Sequence, residues 1–281
     1  MQARHRRSIA AAAACLLAAC GGGGGGGVSM TDATVIGPIT GFGSVMVNGI
    51  RFDDDNAVIT IEDAIQARDQ LRIGMVVRVQ GQVRSDGTGV ANQISYNDCV
   101  EGPITAMNRV QNTLTVFGET VQVDEDTVFD GVTLRDMNAF AIGDLIEVSC
   151  MPVREQRMRA SRIEHKGTFV NGSSTIELTG VVANLNLAQG TCTVGASTVD
   201  FSAIAEADLP QGLANGMTVE VSGKRFENGV LLMDRLRDRD RDRIHVPDGD
   251  LFEIEGYVAN FVSISDFEID GYKVNASSAV I

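Results

Sequence analysis

A chain of 281 residues with 37 Asp+Glu against 23 Lys+Arg carries a net charge of −14. That excess argues against nucleic acid as a partner, because phosphate recognition rests on clustered Lys and Arg. Hydrophobic residues at 44% and charged residues at 21% exclude wholesale disorder, and three His are too few for a His-rich metal site. Outside residues 9–19 there is no apolar run long enough for a membrane-spanning helix.

The first segment reads as an address. Arg4, His5, Arg6 and Arg7 form a basic region, Ile9 to Ala19 a short apolar stretch, and Leu17-Ala18-Ala19-Cys20 a cleavage site. This ending resembles a bacterial lipobox, which implies a signal peptide over 1–19 and lipidation of Cys20 as the mature N-terminus. Two or more acyl chains give stable anchoring where one is marginal. The other reading is an ordinary secretory leader with a chance Cys. Arg6-Arg7 raises twin-arginine export, but the residues that follow fit the general secretory route better. Gly21 to Gly27 is an unbroken glycine run, a flexible tether within residues 20–31. From Cys20 to Asp32 it spans on the order of 20 Å root-mean-square. Gly rather than Asp after Cys20 favours the outer membrane, with the chain facing the periplasm. Loss of Arg4, Arg6 and Arg7 with the leader makes the exported form still more acidic.

The body is a repeat. Unit one opens Gly37-Pro38-Ile39-Thr40 and later reads Gly74-Met75-Val76-Val77-Arg78-Val79-Gln80-Gly81. Unit two has Gly102-Pro103-Ile104-Thr105 and Gly143-Asp144-Leu145-Ile146-Glu147-Val148-Ser149. Unit three has Gly180-Val181-Val182-Ala183 and Gly216-Met217-Thr218-Val219-Glu220-Val221-Ser222-Gly223. Unit four opens Gly256-Tyr257-Val258-Ala259 and stops before the second segment. Between the two segments apolar residues alternate with period two around a turn: Asn48-Gly49, Phe117-Gly118-Glu119, Gly195-Ala196 and Asp270-Gly271. Such alternation around Asn-Gly or Asp-Gly is a hairpin signal, because both turn positions need positive φ. Asp63–Leu71, Leu134–Phe140 and Ala203–Leu213 each have room for one short helix. A last strand follows at Val90–Ile94, Met158–Ile163 and Val230–Leu236.

Strand, hairpin, short helix and two strands is the order of a five-stranded Greek-key barrel of the OB type. The expected fold is all-β with minor helix: tandem OB-like small β-barrels at 32–98, 99–168 and 169–237, a charged linker at 238–250 and an incomplete module at 251–281. Open sandwich or meander units are the alternative. The incomplete module lacks the strands to close a barrel and is expected to pair elsewhere or to stay partly ordered.

The segments Gly37–Val45, Asn48–Asp53 and Gly74–Val79, with Gly143–Ser149 and Arg162-Ile163-Glu164, resemble a bacterial lipoprotein family defined by a repeated domain of unknown function. The likeness covers residues 35–281. It implies β modules in the cell envelope and brings no catalytic residues with it.

With Cys15 lost and Cys20 lipidated, Cys99, Cys150 and Cys192 remain. Cys99 precedes the first strand of unit two and Cys150 ends its fourth. Those strands run antiparallel in an OB barrel, so a Cys99–Cys150 disulfide is expected in an oxidising periplasm; two unpaired buried thiols are the alternative. Cys192, on a hairpin strand, reads as a core residue. The run Arg235–Arg243 alternates in sign and reads as a solvated linker, or less readily as a docking site for an acidic partner. Asp53-Asp54-Asp55 lacks the spacing of a Ca²⁺ loop and reads as a polar strand end. Glu147 and Glu220 share one repeat position, filled by Arg78 in unit one, and read as a repeated surface site rather than an acid/base pair. No nucleophile elbow, zinc-helix or phosphate-loop motif is present.

These features point to a non-enzymatic envelope lipoprotein, attached to a membrane through Cys20, whose tandem modules present a binding or scaffolding surface to other envelope components, an envelope protein or a glycan. Glycan or oligosaccharide binding on the OB face is the alternative, disfavoured by few aromatics. No catalytic residue, cofactor or metal is expected.

Overall fold

The computed structural model describes residues 29–153, 157–239, 250–254, 258–269 and 272–279. The leader, Cys20, the glycine run and 240–249 lie outside the described residues. Three closed barrels with the same connectivity follow one another. In barrel 1 the strands are β1 (Met30–Gly41), β2 (Val45–Val47), β3 (Ile50–Asp53), β4 (Val58–Ile61), β5 (Ala64–Ile65), β6 (Val76–Arg84) and β7 (Thr88–Tyr96). β1, β2 and β3 pair antiparallel in turn, β3 runs parallel to β7, β7 pairs antiparallel with β6, and β6 returns antiparallel to β1. This closed circuit leaves the five main strands with paired edges.

Barrel 2 repeats the circuit with β8 (Val100–Asn108), β9 (Thr113–Val116), β10 (Glu119–Gln122), β12 (Asp144–Val153) and β13 (Arg157–Thr168). β11 (Val128–Asp130) lies parallel alongside β13. Barrel 3 uses β14 (Ile176–Asn186), β15 (Thr191–Val194), β16 (Ser197–Asp200), β17 (Thr218–Glu227) and β18 (Val230–Asp238). The first strand therefore starts at Met30, inside the segment read as tether, and the last strand of barrel 3 extends into the segment read as linker.

The three expected helices are 3₁₀ turns, Arg68–Gln70, Met137–Ala139 and Glu206–Asp208, and there is no α-helix among the described residues. Each segment is too short to offset the cost of helix nucleation. The first is also interrupted by the β4–β5 hairpin, whose turn residues Glu62 and Asp63 sit at φ 49° and 60°.

The glycines that mark the repeat have separate tasks. At the opening glycine the hairpin turn folds over the first strand. A Cβ on Gly37 would strike the Asn48 side chain, and one on Gly102 would strike the Phe117 ring. Asn48 uses that space to donate from Nδ2 to the Ile36 carbonyl at 2.9 Å. The second glycine starts the fourth strand with positive φ, 85° at Gly74, 93° at Gly143 and 92° at Gly216. Its N–H bonds the first strand each time, at Ile39, Ile104 and Val182.

Period-two alternation points Val35, Ile39, Phe52, Val79 and Ile94 into barrel 1. Barrels 2 and 3 share one continuous core, which includes Val100, Leu114, Val148, Leu178, Val221 and Leu231. Each such side chain contributes about 1.5–3 kcal/mol on burial. Cys99 and Cys150 are joined in a disulfide, Cα to Cα 5.9 Å, where β8 and β12 pair. Closing a loop with a sequence separation of 51 residues stabilises by roughly 2–4 kcal/mol. Cys192 is a free thiol in the shared core, and burial pushes it up to about 11.

The long first strands leave part of one edge open, and another unit covers it. β8 and β14 pair antiparallel, Val100 opposite Leu178 and Glu101 opposite Glu177. On β1, residues Ala33–Ile36 take β19 (Leu251–Ile254) of the incomplete module as a parallel neighbour. The remainder of that module is a meander, β20 (Val258–Ser263), β21 (Asp266–Ile269) and β22 (Tyr272–Val274). Its first strand is thus divided between barrel 1 and its own hairpin.

Gly74 carries a second load. Its carbonyl accepts from Ser161 Oγ of barrel 2 at 2.6 Å, and an added Cβ would lie 2.8 Å from the Ser161 carbonyl oxygen. At Gly143 nothing lies within 4 Å of that position. Gly143→Ala should therefore cost only the backbone strain, about 1 kcal/mol, and Gly74→Ala should cost more, by urea unfolding. Equal costs would contradict the packing described.

Candidate functional site at the module junction

Charged residues converge where the barrels meet. Two strand alternations bring them there. Arg235 and Arg237 lie on the face of β18 opposite the buried Leu236, and Arg239 follows just past the strand end. Glu147 on β12 and Glu220 on β17 occupy the same position of the fourth strand in barrels 2 and 3.

The first group joins barrels 1 and 3. Glu62 from the β4–β5 turn, Glu177 of β14 and Glu220 each place a carboxylate oxygen within 4.8 Å of the others. Arg239 Nη2 donates to Glu220 Oε2, and Arg239 Nη1 donates to Asp63 Oδ1 at 2.8 Å. Arg237 also donates to Asp63. Arg235 Nη2 and Arg237 Nη1 each lie 3.7 Å from Glu220 Oε1. Barrel 3 thus grips barrel 1 through one aspartate. Arg235, Arg237 and Arg239 are consequently a docking surface rather than a solvated linker. Glu220 is likewise no surface residue, since its side chain is 1% exposed.

The second group sits between barrels 1 and 2. Oxygens of Asp98, Glu101 and Glu147 lie within 4.8 Å of one another. Tyr96 OH donates to Glu147 Oε1 at 3.1 Å and Lys166 Nζ to Glu147 Oε2 at 2.9 Å. The Asp98 backbone N–H donates to Glu62 Oε1 at 2.7 Å and so connects the two groups. Arg162 is buried in β13, donates to Asp130 at 2.6 Å and Glu164 at 2.8 Å, and lies 3.9 Å from Glu147.

Burial, with Glu62 as the next cause, pushes Glu177 up to about 8, and burial also raises Glu62. Burial pushes Glu101 up to about 7. Burial and then the Glu62 and Glu177 charges hold Asp98 well above the carboxylate range. A buried carboxylate without a dedicated cation keeps its proton to a higher pH.

Asp53-Asp54-Asp55 is elsewhere and already committed. Arg68 grips both Asp54 oxygens, Nη2 to Oδ1 at 2.9 Å. Of the residues weighed in the sequence, Glu147, Glu220, Arg235, Arg237 and Arg239 enter the junction, and the Cys99–Cys150 bridge lies one residue beyond Asp98. Asp63, Asp98, Glu101 and Glu177 carried one available signal: acidic residues at or beside strand positions.

Between about pH 4.5 and 8 the folded junction holds protons on Glu177 and Glu101 that the unfolded chain has released. The folded state then binds more protons, so stability falls as pH rises through that window. The melting temperature should drop between pH 5 and pH 8.5, and Glu177→Gln should flatten the drop. A melting temperature that rises with pH would contradict the junction described.

Comparison with known proteins adds the family. No curated protein matches the chain. Among solved structures, "drosophila Unr CSD456" aligns at 14% identity over 75% of this chain and 97% of that chain, with a TM-score of 0.20, a likeness that carries no weight for fold or function. The profile of a domain of unknown function (DUF5666) matches residues 33–95, 101–164 and 174–235, each segment running from the first strand of a barrel into its last. The chain therefore belongs to the family defined by that domain, and carries three copies of it in tandem.

Proposed function

We propose that this chain is a non-enzymatic cell-envelope lipoprotein. Cys20 anchors it to a membrane, on the periplasmic side of the outer membrane, and its barrels form a rigid binding or scaffolding surface for another envelope protein. The lipobox-like ending and the glycine run support the anchor, and β1 begins at Met30, only ten residues after Cys20.

One observation carries the binding role. The loop between the first and second strands presents a large apolar side chain to water in every unit: Phe42 is 47% exposed, Val110 96%, Leu187 61% and Ile264 44%. A single exposed apolar residue needs no explanation, but the same loop doing so in four units indicates a use. In OB folds this loop borders the ligand face. The charged groups of the junction are spent on joining barrels, so the loops are what the assembly offers outward.

A cleft of about 410 Å³ beside the Val110 loop supports glycan binding as a second reading. It is lined by Arg109, Asn112, Phe129, Asp136 and Asn138 among others, polar groups around one ring. The discriminating experiment crosslinks intact envelopes that carry the wild type or the triple variant Phe42→Ser, Val110→Ser, Leu187→Ser. The protein-binding reading predicts partners retained by the wild type and lost from a variant of unchanged circular dichroism. An unchanged partner set, with saturable binding of cell-wall oligosaccharide to the purified protein, would overturn it in favour of the glycan.

A further inference from the structure

We propose that Asp98, Glu101 and Glu147 bind one divalent cation, Ca²⁺ by the chemistry of the donors, at the seam between barrels 1 and 2. The three carboxylate oxygens lie within 4.8 Å of one another. Oxygens on a shared Ca²⁺ at about 2.4 Å are separated by up to that distance, so the trio fits within one coordination sphere. All three donors are hard anionic oxygens, the set that selects Ca²⁺ over softer metals.

Asp98 supplies the second observation. The residue is 5% exposed, and its Oδ1 is buried without a hydrogen-bond partner. A buried carboxylate oxygen with two more carboxylates nearby and no donor is poorly stabilised. In the neighbouring trio, Glu220 shows what relieves such a group. There the chain supplies its own cation, since Arg239 donates to Glu220 and Arg235 and Arg237 lie within 4 Å of it. At the Asp98 trio the cations are drawn to one side. Lys166 and Arg162 approach Glu147, and Arg162 is shared with Asp130 and Glu164. One Ca²⁺ would do at this seam what Arg239 does at the other. Because Asp98 belongs to the connection between barrels 1 and 2, loading would stiffen the junction.

The test uses purified full-length protein stripped with a chelator and titrated with CaCl₂ by calorimetry. We expect saturable binding of one ion in the ~10⁻⁴–10⁻³ M range of extracellular sites and a higher melting temperature on loading. Asp98→Asn and Glu101→Gln should each weaken binding at least about tenfold, the effect of losing one charged ligand. Asp98→Asn should in addition raise the melting temperature of the stripped protein, because an amide can donate to the carboxylates beside it. Glu206→Gln, on the exposed 3₁₀ turn of barrel 3, should leave the affinity within about twofold. Absence of saturable binding up to about 10 mM CaCl₂, or binding that survives both Asp98→Asn and Glu101→Gln, would overturn the proposal.

Discussion

A carboxylate taken from water into a protein seam must meet a cation or keep a proton, and that constraint governs how these barrels sit together. Glu220 lies under barrel 3 with a side chain 1% exposed, and Arg239 reaches it while also holding Asp63 of barrel 1. Moving the arginine would leave a buried charge unmatched, at a cost of several kcal/mol. The contact is therefore directional. It fixes which face of barrel 3 meets barrel 1 in a way that apolar packing alone does not. Burial of an ion pair is weak evidence for stability but good evidence for a defined arrangement.

The second constraint is the edge. A first strand of nine to twelve residues is longer than its hairpin partner, so half of one side is left without a neighbour. β8 and β14 cover each other, and β19 covers β1. Covering an open edge removes a template for uncontrolled pairing. It also sets Glu101 opposite Glu177, so edge pairing and the charged junction follow from one register. With strand edges and charges turned inward, the loops that carry Phe42, Val110 and Leu187 are left facing water.

The barrels were legible because their signals are local. Asn48-Gly49 reports positive φ at both turn positions, alternation reports which side chains point inward, and the repeat supplies the same evidence three times. The Cys99–Cys150 contact could be reasoned from strand order, since the start of the first strand meets the end of the fourth. The junction was not legible in this way. Glu147 and Glu220 read as surface residues because alternation shows only that they point away from their own barrel, and here away from one barrel means towards another. Arg235, Arg237 and Arg239 read as a linker because alternating charges are as compatible with a solvated strand as with one pressed against an acidic face. The short helices failed for a different reason: a polar segment with room for a helix has no packing stripe to hold one.

The central claim is that barrel 3 is locked to barrel 1 by Arg239 and Asp63, two residues 176 apart in sequence. A double-mutant cycle of Asp63→Ala and Arg239→Ala, read by chemical unfolding at neutral pH, tests it most directly. The account predicts a coupling energy above about 1 kcal/mol, as for contacting groups within one ionic network. A coupling within about 0.3 kcal/mol of zero would mean that the two residues act independently, and the locked junction would be wrong.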